Sequence, residues 1–256
     1  MKASTAWLFL IALLLALTAC GAKPPSGSEP TAQPPQEKEE VTASMTLKQL
    51  NGLQYYLYTP SDPEPDMPLI LYLHGGTNKK ADVTALLTTE GFPKYLYEGE
   101  LGDLRAFVAI PKLENSYKSW ESIADRIAAL IQSLHSLYSI DTGRVALTGH
   151  SMGGTGTYQL QLKLPSTFAR IAPMSGSVQI SEKTLSALSK AKIWAFVGTS
   201  DTVVDPTSSR SAINTLRERG ADAAITELNG ATHLDVPALA YKDPDLLQWL
   251  IGNETA

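Results

Sequence analysis

The 256-residue chain is predicted to form an α/β fold with a mostly parallel sheet covered by helices on both faces. Three observations predict it. Short, almost wholly apolar runs such as Leu69–Leu73, Ala106–Ile110 and Arg144–Thr148 end at Gly or Pro, as strands buried on both faces do. Between them lie stretches with helical spacing, the clearest being Ile123, Ile127, Leu130, Ile131, Leu134 and Tyr138. The two patterns then alternate to the C-terminus, which is the signature of strand–helix–strand units. An apolar fraction of 43% with 18% charged residues is ordinary for a globular chain and supports a sizeable core. A net charge of −5 without basic clusters speaks against a nucleic-acid partner. The single cysteine excludes an internal disulfide and any multi-cysteine metal centre.

In chain order, Lys2 precedes an apolar run from Trp7 to Leu17. At about 1.5 Å per residue this run spans roughly 17 Å, too short for a hydrocarbon core of about 30 Å. A basic start, a short apolar stretch and small residues fit an export signal. The run closes on Leu17-Thr18-Ala19-Cys20-Gly21, which resembles the lipobox of bacterial lipoprotein signal peptides. The resemblance implies a signal peptide at 1–19 and a lipid on Cys20. It also implies attachment to a bacterial membrane on its extracytoplasmic side. Residues 20–44 hold five of the sixteen prolines, with almost nothing apolar, and are expected to be a disordered tether. The catalytic domain is then expected at 45–256.

Within that domain Leu53–Tyr58 alternates, is rich in Tyr and reads as an edge strand. Buried strands follow at 69–73 and 106–110, a helix at 119–138, a strand at 144–148 and a helix at 152–164 stopped by Pro165. Strands near Ile171, at 193–197 and at 223–228, with helices at 207–219 and 244–251, complete the pattern. The stretch from Ser175 to Ile193 leaves no room for a large lid.

Ligands of open α/β sheets sit at the carboxyl ends of strands, so the chemistry is expected in the loops there. Gly149-His150-Ser151-Met152-Gly153 joins a strand to a helix. A G-x-S-x-G sequence in that setting is a nucleophile elbow: small neighbours allow a tight, strained turn that presents the serine hydroxyl. A serine hydroxyl needs a base, and the base needs a partner that fixes its tautomer. Of four histidines, only His233 follows both the serine and the candidate acids. His74 ends a strand and is expected to brace its loop, and His135 lies on a helix surface. The acid is expected in Gly198-Thr-Ser-Asp201-Thr-Val-Val-Asp205, where spacing does not choose between Asp201 and Asp205. Stabilisation of the oxyanion requires backbone N–H groups, one of them from Met152, the residue after the nucleophile.

Four motifs now stand in order: Leu73-His-Gly-Gly76, Gly149-His-Ser-Met-Gly153, Gly198-Thr-Ser-Asp-Thr-Val-Val204 and Gly230-Ala-Thr-His233. With them the chain from about Leu53 resembles the α/β-hydrolases, close to the small carboxylesterase, dienelactone hydrolase and feruloyl esterase group. The resemblance implies a Ser151–His233–Asp201 triad, with Asp205 as the alternative acid. It implies a second oxyanion donor at Gly76, with Thr77 as the neighbouring alternative. Thr77, Tyr117, Trp120 and His150 are candidate substrate-binding residues, although Trp120 equally fits a packing position beneath the elbow. The longer H-G-G-G form of some lipases is missing. The expected activity is hydrolysis of short-chain or carbohydrate-linked acyl esters through an acyl-enzyme, with no cofactor or metal. Rival readings are a peptidase or thioesterase using the same residues, and a surface binding protein with a vestigial triad.

Overall fold

The computed structural model describes residues 43–253, apart from Glu90. The expected signal peptide, Cys20 and nearly all of the 20–44 tether therefore lie outside the described residues. Among the described residues no helix is long and apolar enough to cross a membrane.

Eight strands form one sheet: β1 (Ser44–Leu50), β2 (Leu53–Thr59), β3 (Leu69–Leu73), β4 (Phe107–Pro111), β5 (Val145–His150), β6 (Arg170–Met174), β7 (Lys192–Gly198) and β8 (Ala223–Leu228). Their spatial order is β1-β2-β4-β3-β5-β6-β7-β8. The pairs β1/β2 and β2/β4 are antiparallel, and the remaining pairs are parallel. The helices are α1 (Leu86–Thr89), α2 (Gly91–Tyr97), α3 (Ala124–Tyr138), α4 (Met152–Lys163), α5 (Glu182–Leu188), α6 (Pro206–Glu218), α7 (Val236–Tyr241) and α8 (Pro244–Ile251). Apolar residues of α3, α4, α5 and α6 join one core with Leu69, Leu71 and Leu73. Those of α1, α2, α7 and α8 join a second core with Ile70 and Tyr72 on the opposite side of the sheet. Fully buried parallel strands explain the unbroken apolar runs.

Leu53–Tyr58 is not an edge strand. Ser44–Leu50 pairs along the whole of it, from Ser44 opposite Thr59 to Leu50 opposite Leu53. The two strands are joined by Asn51 and Gly52, both left-handed at φ 48° and 79°. Positive φ at both central residues marks the two-residue hairpin turn for which Asn-Gly is the preferred sequence. Leu53, Tyr55 and Leu57 enter one core while Tyr56 and Tyr58 enter the other, so both faces of this strand are covered, and β1 and β4 pair along its two edges. The expected helix at 119–138 begins instead as a 3₁₀ turn at Trp120–Ile123 and becomes α3 at Ala124. Helices α2, α5 and α7 are six or seven residues long, too short to declare a period of 3.6.

The chain leaves β3 for β4 on one side and returns to β5 on the other. This reversal opens a crevice at the carboxyl ends of β3 and β5, where open α/β sheets bind ligands. The segment after β3 begins at His74, and the residue after β5 is Ser151.

Candidate active site

Ser151 sits between β5 and α4 with φ 60° and ψ −119°, a strained conformation for a residue bearing a β-carbon. Its N–H donates to the Met174 carbonyl at 3.0 Å, tying the elbow to β6. The flanking glycines are required by the space. A β-carbon on Gly153 would lie 1.8 Å from the Leu73 carbonyl oxygen, and one on Gly149 would lie 2.6 Å from that same oxygen.

Two further loops meet beside this elbow. Asp201 follows β7 and His233 follows β8, and both are nearly buried. Gly198 lets the loops touch, since a β-carbon there would meet the Ala231 carbonyl oxygen at 2.3 Å. His233 Nδ1–H donates to Asp201 Oδ2 at 2.8 Å, which leaves Nε2 as the free ring nitrogen. Asp201 Oδ1 accepts the N–H groups of Val203 and Val204, each at 2.9 Å. Burial raises the Asp201 pKa, but the donors from Val204, His233 and Val203 outweigh it and hold the carboxyl below its ordinary value. The Ser175 hydroxyl, buried on a left-handed residue with φ 45°, adds to this lowering without forming a well-aligned hydrogen bond. Asp205 is engaged elsewhere: it caps α6 by accepting the Thr207 N–H at 2.9 Å.

His150 is buried beside His233, with ring centroids 4.5 Å apart. Its Nε2–H donates to the His233 carbonyl at 2.9 Å. Burial and the neighbouring His233 lower its pKa to about 4, so the ring is neutral near neutral pH. His74 is committed to bracing. Its Nδ1–H donates to the Gly75 carbonyl at 2.8 Å, and Nε2 accepts the Leu113 N–H at 2.9 Å. Burial lowers its pKa to about 4 as well.

Gly76 opens a 3₁₀ turn that runs to Lys79. A β-carbon on Gly76 would lie 4.0 Å from that of Met152, so the turn after β3 and the start of α4 converge. Around them is a cleft of about 240 Å³ lined by Gly76, Thr77, His150, Ser151 and His233. Thr77 and His150 thus reach the cleft, whereas Tyr117 and Trp120 do not line it. Trp120 is fully buried, donating from Nε1 to the His74 carbonyl at 3.2 Å and pressing on Gly156 of α4. As a substrate-binding candidate it is therefore corrected to a packing residue beneath the elbow. Tyr117 packs against the core with its ring 5.4 Å from the Arg126 guanidinium.

The far wall comes from outside the four sequence motifs. Thr89, Gly91, Tyr95, Leu234 and Pro237 complete the cleft from α1, α2 and the start of α7. Leu234 offered one signal, as an apolar residue directly after the candidate base; it is 80% exposed. Among the described residues the cleft lining contains no carboxylate and no ammonium group.

The family model described as the dienelactone hydrolase family matches residues 53–234. A bifunctional acetylxylan esterase/xylanase, XynS20E of Neocallimastix patriciarum, is 29% identical over 134 residues. That match covers 49% of the chain but only 18% of the relative. A solved thermostable esterase shares 22% identity with a TM-score of 0.68, covering 81% of the chain and 62% of that structure. The feruloyl esterase module of Clostridium thermocellum, solved with sinapinate, shares 15% identity with a TM-score of 0.65. It covers 84% of the chain and 90% of that module. At these identities the two solved structures speak for the fold: it is that of the α/β-hydrolases.

Proposed function

Because the chain belongs to the dienelactone hydrolase family, we propose that it hydrolyses carboxylic esters through an acyl-enzyme on Ser151. One observation carries the reading. A carboxylate-paired histidine, His233 on Asp201 at 2.8 Å, opens into the same cleft as a serine held at φ 60°. Serine attack requires a base of fixed tautomer, and this pairing fixes it.

In the proposed cycle Ser151 Oγ attacks the acyl carbonyl and its proton passes to His233 Nε2. Asp201 stabilises the imidazolium. The carbonyl oxygen becomes an oxyanion held by the N–H groups of Gly76 and Met152, with Thr77 as the adjacent donor. Collapse breaks the C–O bond, and the leaving alkoxide takes the proton from His233. Water, deprotonated by His233, then attacks the acyl-enzyme and restores Ser151. The acetylxylan and feruloyl esterase relatives favour short or carbohydrate-linked acyl esters as the substrate class.

Ser151→Ala should abolish hydrolysis of short-chain aryl esters and labelling by a fluorophosphonate probe while leaving the circular dichroism spectrum unchanged. Retained turnover would overturn the assignment. A panel of matched oxygen esters, thioesters and amides measures the preference, and oxygen esters should give the highest kcat/KM.

Location is part of the same proposal. The Leu17-Thr-Ala-Cys20 motif supports cleavage before Cys20, lipidation of its thiol and display of the enzyme outside the cytoplasm of a bacterium. In a bacterial host, Cys20→Ser should abolish incorporation of labelled palmitate and release the enzyme from the membrane fraction. Unchanged membrane association would refute the anchor.

A further inference from the structure

Behind the proposed oxyanion turn lies a buried ammonium group. Lys112 follows β4 and is 3% exposed. Its backbone N–H is fixed by the Gln54 carbonyl at 2.8 Å. Its Nζ donates to the carbonyls of Asn78 at 2.5 Å and Lys79 at 3.0 Å, with the Leu113 carbonyl more distant at 3.5 Å. No carboxylate among the described residues forms an ion pair with it; Glu114 and Asp82 act only at longer range. Burying an ammonium without a carboxylate partner is costly, whereas a methionine would fill the same space without that penalty. A role that needs the donors is therefore indicated.

The position of the carbonyls defines that role. Segment 74–79 is held at its start by Leu113, whose N–H binds His74 Nε2 at 2.9 Å. It is held at its end by Lys112, which binds Asn78 and Lys79. Thr89 adds a hydrogen bond from Oγ1 to Asn78 Oδ1 at 3.0 Å. Between these ties lie Gly76 and Thr77, which face the cleft. Neighbouring residues 112 and 113 thus clamp both ends of the stretch that carries the proposed donor.

We propose that Lys112 is a positioning residue for the oxyanion site, holding the Gly76–Thr77 N–H groups in register with that of Met152 by tying the far end of their turn. The inference rests on the ester-hydrolase reading above. A donor aimed at the oxyanion acts on the transition state more than on the bound ester, so its misplacement lowers kcat and leaves KM.

The test uses the full chain with an aryl ester, a trifluoromethyl ketone that forms a tetrahedral adduct on serine, and thermal unfolding. Lys112→Met should lower kcat about 10–100-fold with KM within about twofold, and should raise the inhibitor Ki in proportion. Wild-type kcat and Ki in a folded Lys112→Met protein would overturn the role, even with a lowered Tm. Should that variant fail to fold, Lys112→Arg is decisive. It retains the charge but displaces the donor nitrogens, so the same kcat-selective loss is expected at smaller size. Wild-type kcat in Lys112→Arg beside an unfolded Lys112→Met would make the lysine purely structural and overturn the proposal. Ser151→Ala in parallel separates the two levels. If it stays active the hydrolase reading fails; if it is inactive while the Lys112 variants turn over normally, only the positioning role fails.

Discussion

At the scale of single residues, Asp201 and Asp205 are chemically identical and four positions apart, yet one binds His233 and the other caps a helix. Asp201→Asn should therefore lower kcat about 10³–10⁴-fold, whereas Asp205→Asn should stay within about twofold. Equal losses in the two variants would contradict the assignment. His74 and His150 set a pH dependence of stability. Burial lowers both to about 4, against an ordinary imidazole near 6.5. Between those values the unfolded chain binds more protons than the folded one, so stability is complete above about 6.5 and declines towards pH 4. Each histidine contributes a slope of about 1.4 kcal/mol per pH unit within that window. Asp201, held below its ordinary value, acts in a separate and lower window and loses its contribution as pH falls through its folded value. Urea titrations at pH 7, 6 and 5 should show the fall, and a flat profile would refute it. Ser151 and His233 were legible in sequence because their motifs are local. Asp201 needed a resemblance to be preferred over Asp205, since only the approach of two distant loops distinguishes them. Tyr95 and Thr89 were not legible, because they reach the cleft from short helices without periodicity.

At the scale of elements, α4 follows the proposed nucleophile Ser151, and its seat depends on space more than on amphipathicity. A β-carbon on Gly156 would lie 2.4 Å from the Trp120 ring, and one on Gly154 would lie 2.2 Å from the Met174 carbonyl oxygen. Gly156→Ala should cost about 1–3 kcal/mol through overpacking. Trp120→Ala, which removes the ring atoms that the new β-carbon would meet at 2.4 and 2.7 Å, should therefore cost less in the Gly156→Ala background than alone. Additive losses in the double variant would show that the two residues do not compete for one space. Helix boundaries at 244–251 and the β8 span at 223–228 were legible, being flanked by Pro and Gly signals. The hairpin partner of β2 is signalled in the sequence only by the Asn51-Gly52 turn. The polar sequence of β1 hid a strand whose side chains mostly face solvent.

At the scale of the whole molecule, the described residues, which begin at Ala43, form both cores and line the cleft. A protein starting at Ala43 should fold and match the full chain in kcat/KM. Starting it at Asn51 instead removes β1 and exposes the backbone edge of β2. Size-exclusion chromatography should then show self-association. A monomer at all concentrations would refute this.

The division into two cores has a consequence for how such a protein diversifies. Helix α4, which follows the proposed nucleophile, packs into one core, while α2 and α7, which wall the cleft, pack into the other. In the proposed chemistry, reactivity and selectivity are thus supported by separate masses of side chains on either side of a shared sheet. Substitutions around Tyr95 can recut the substrate mould without disturbing the seat of Ser151. A lineage could drift from one acyl group to another while its chemical engine stays fixed.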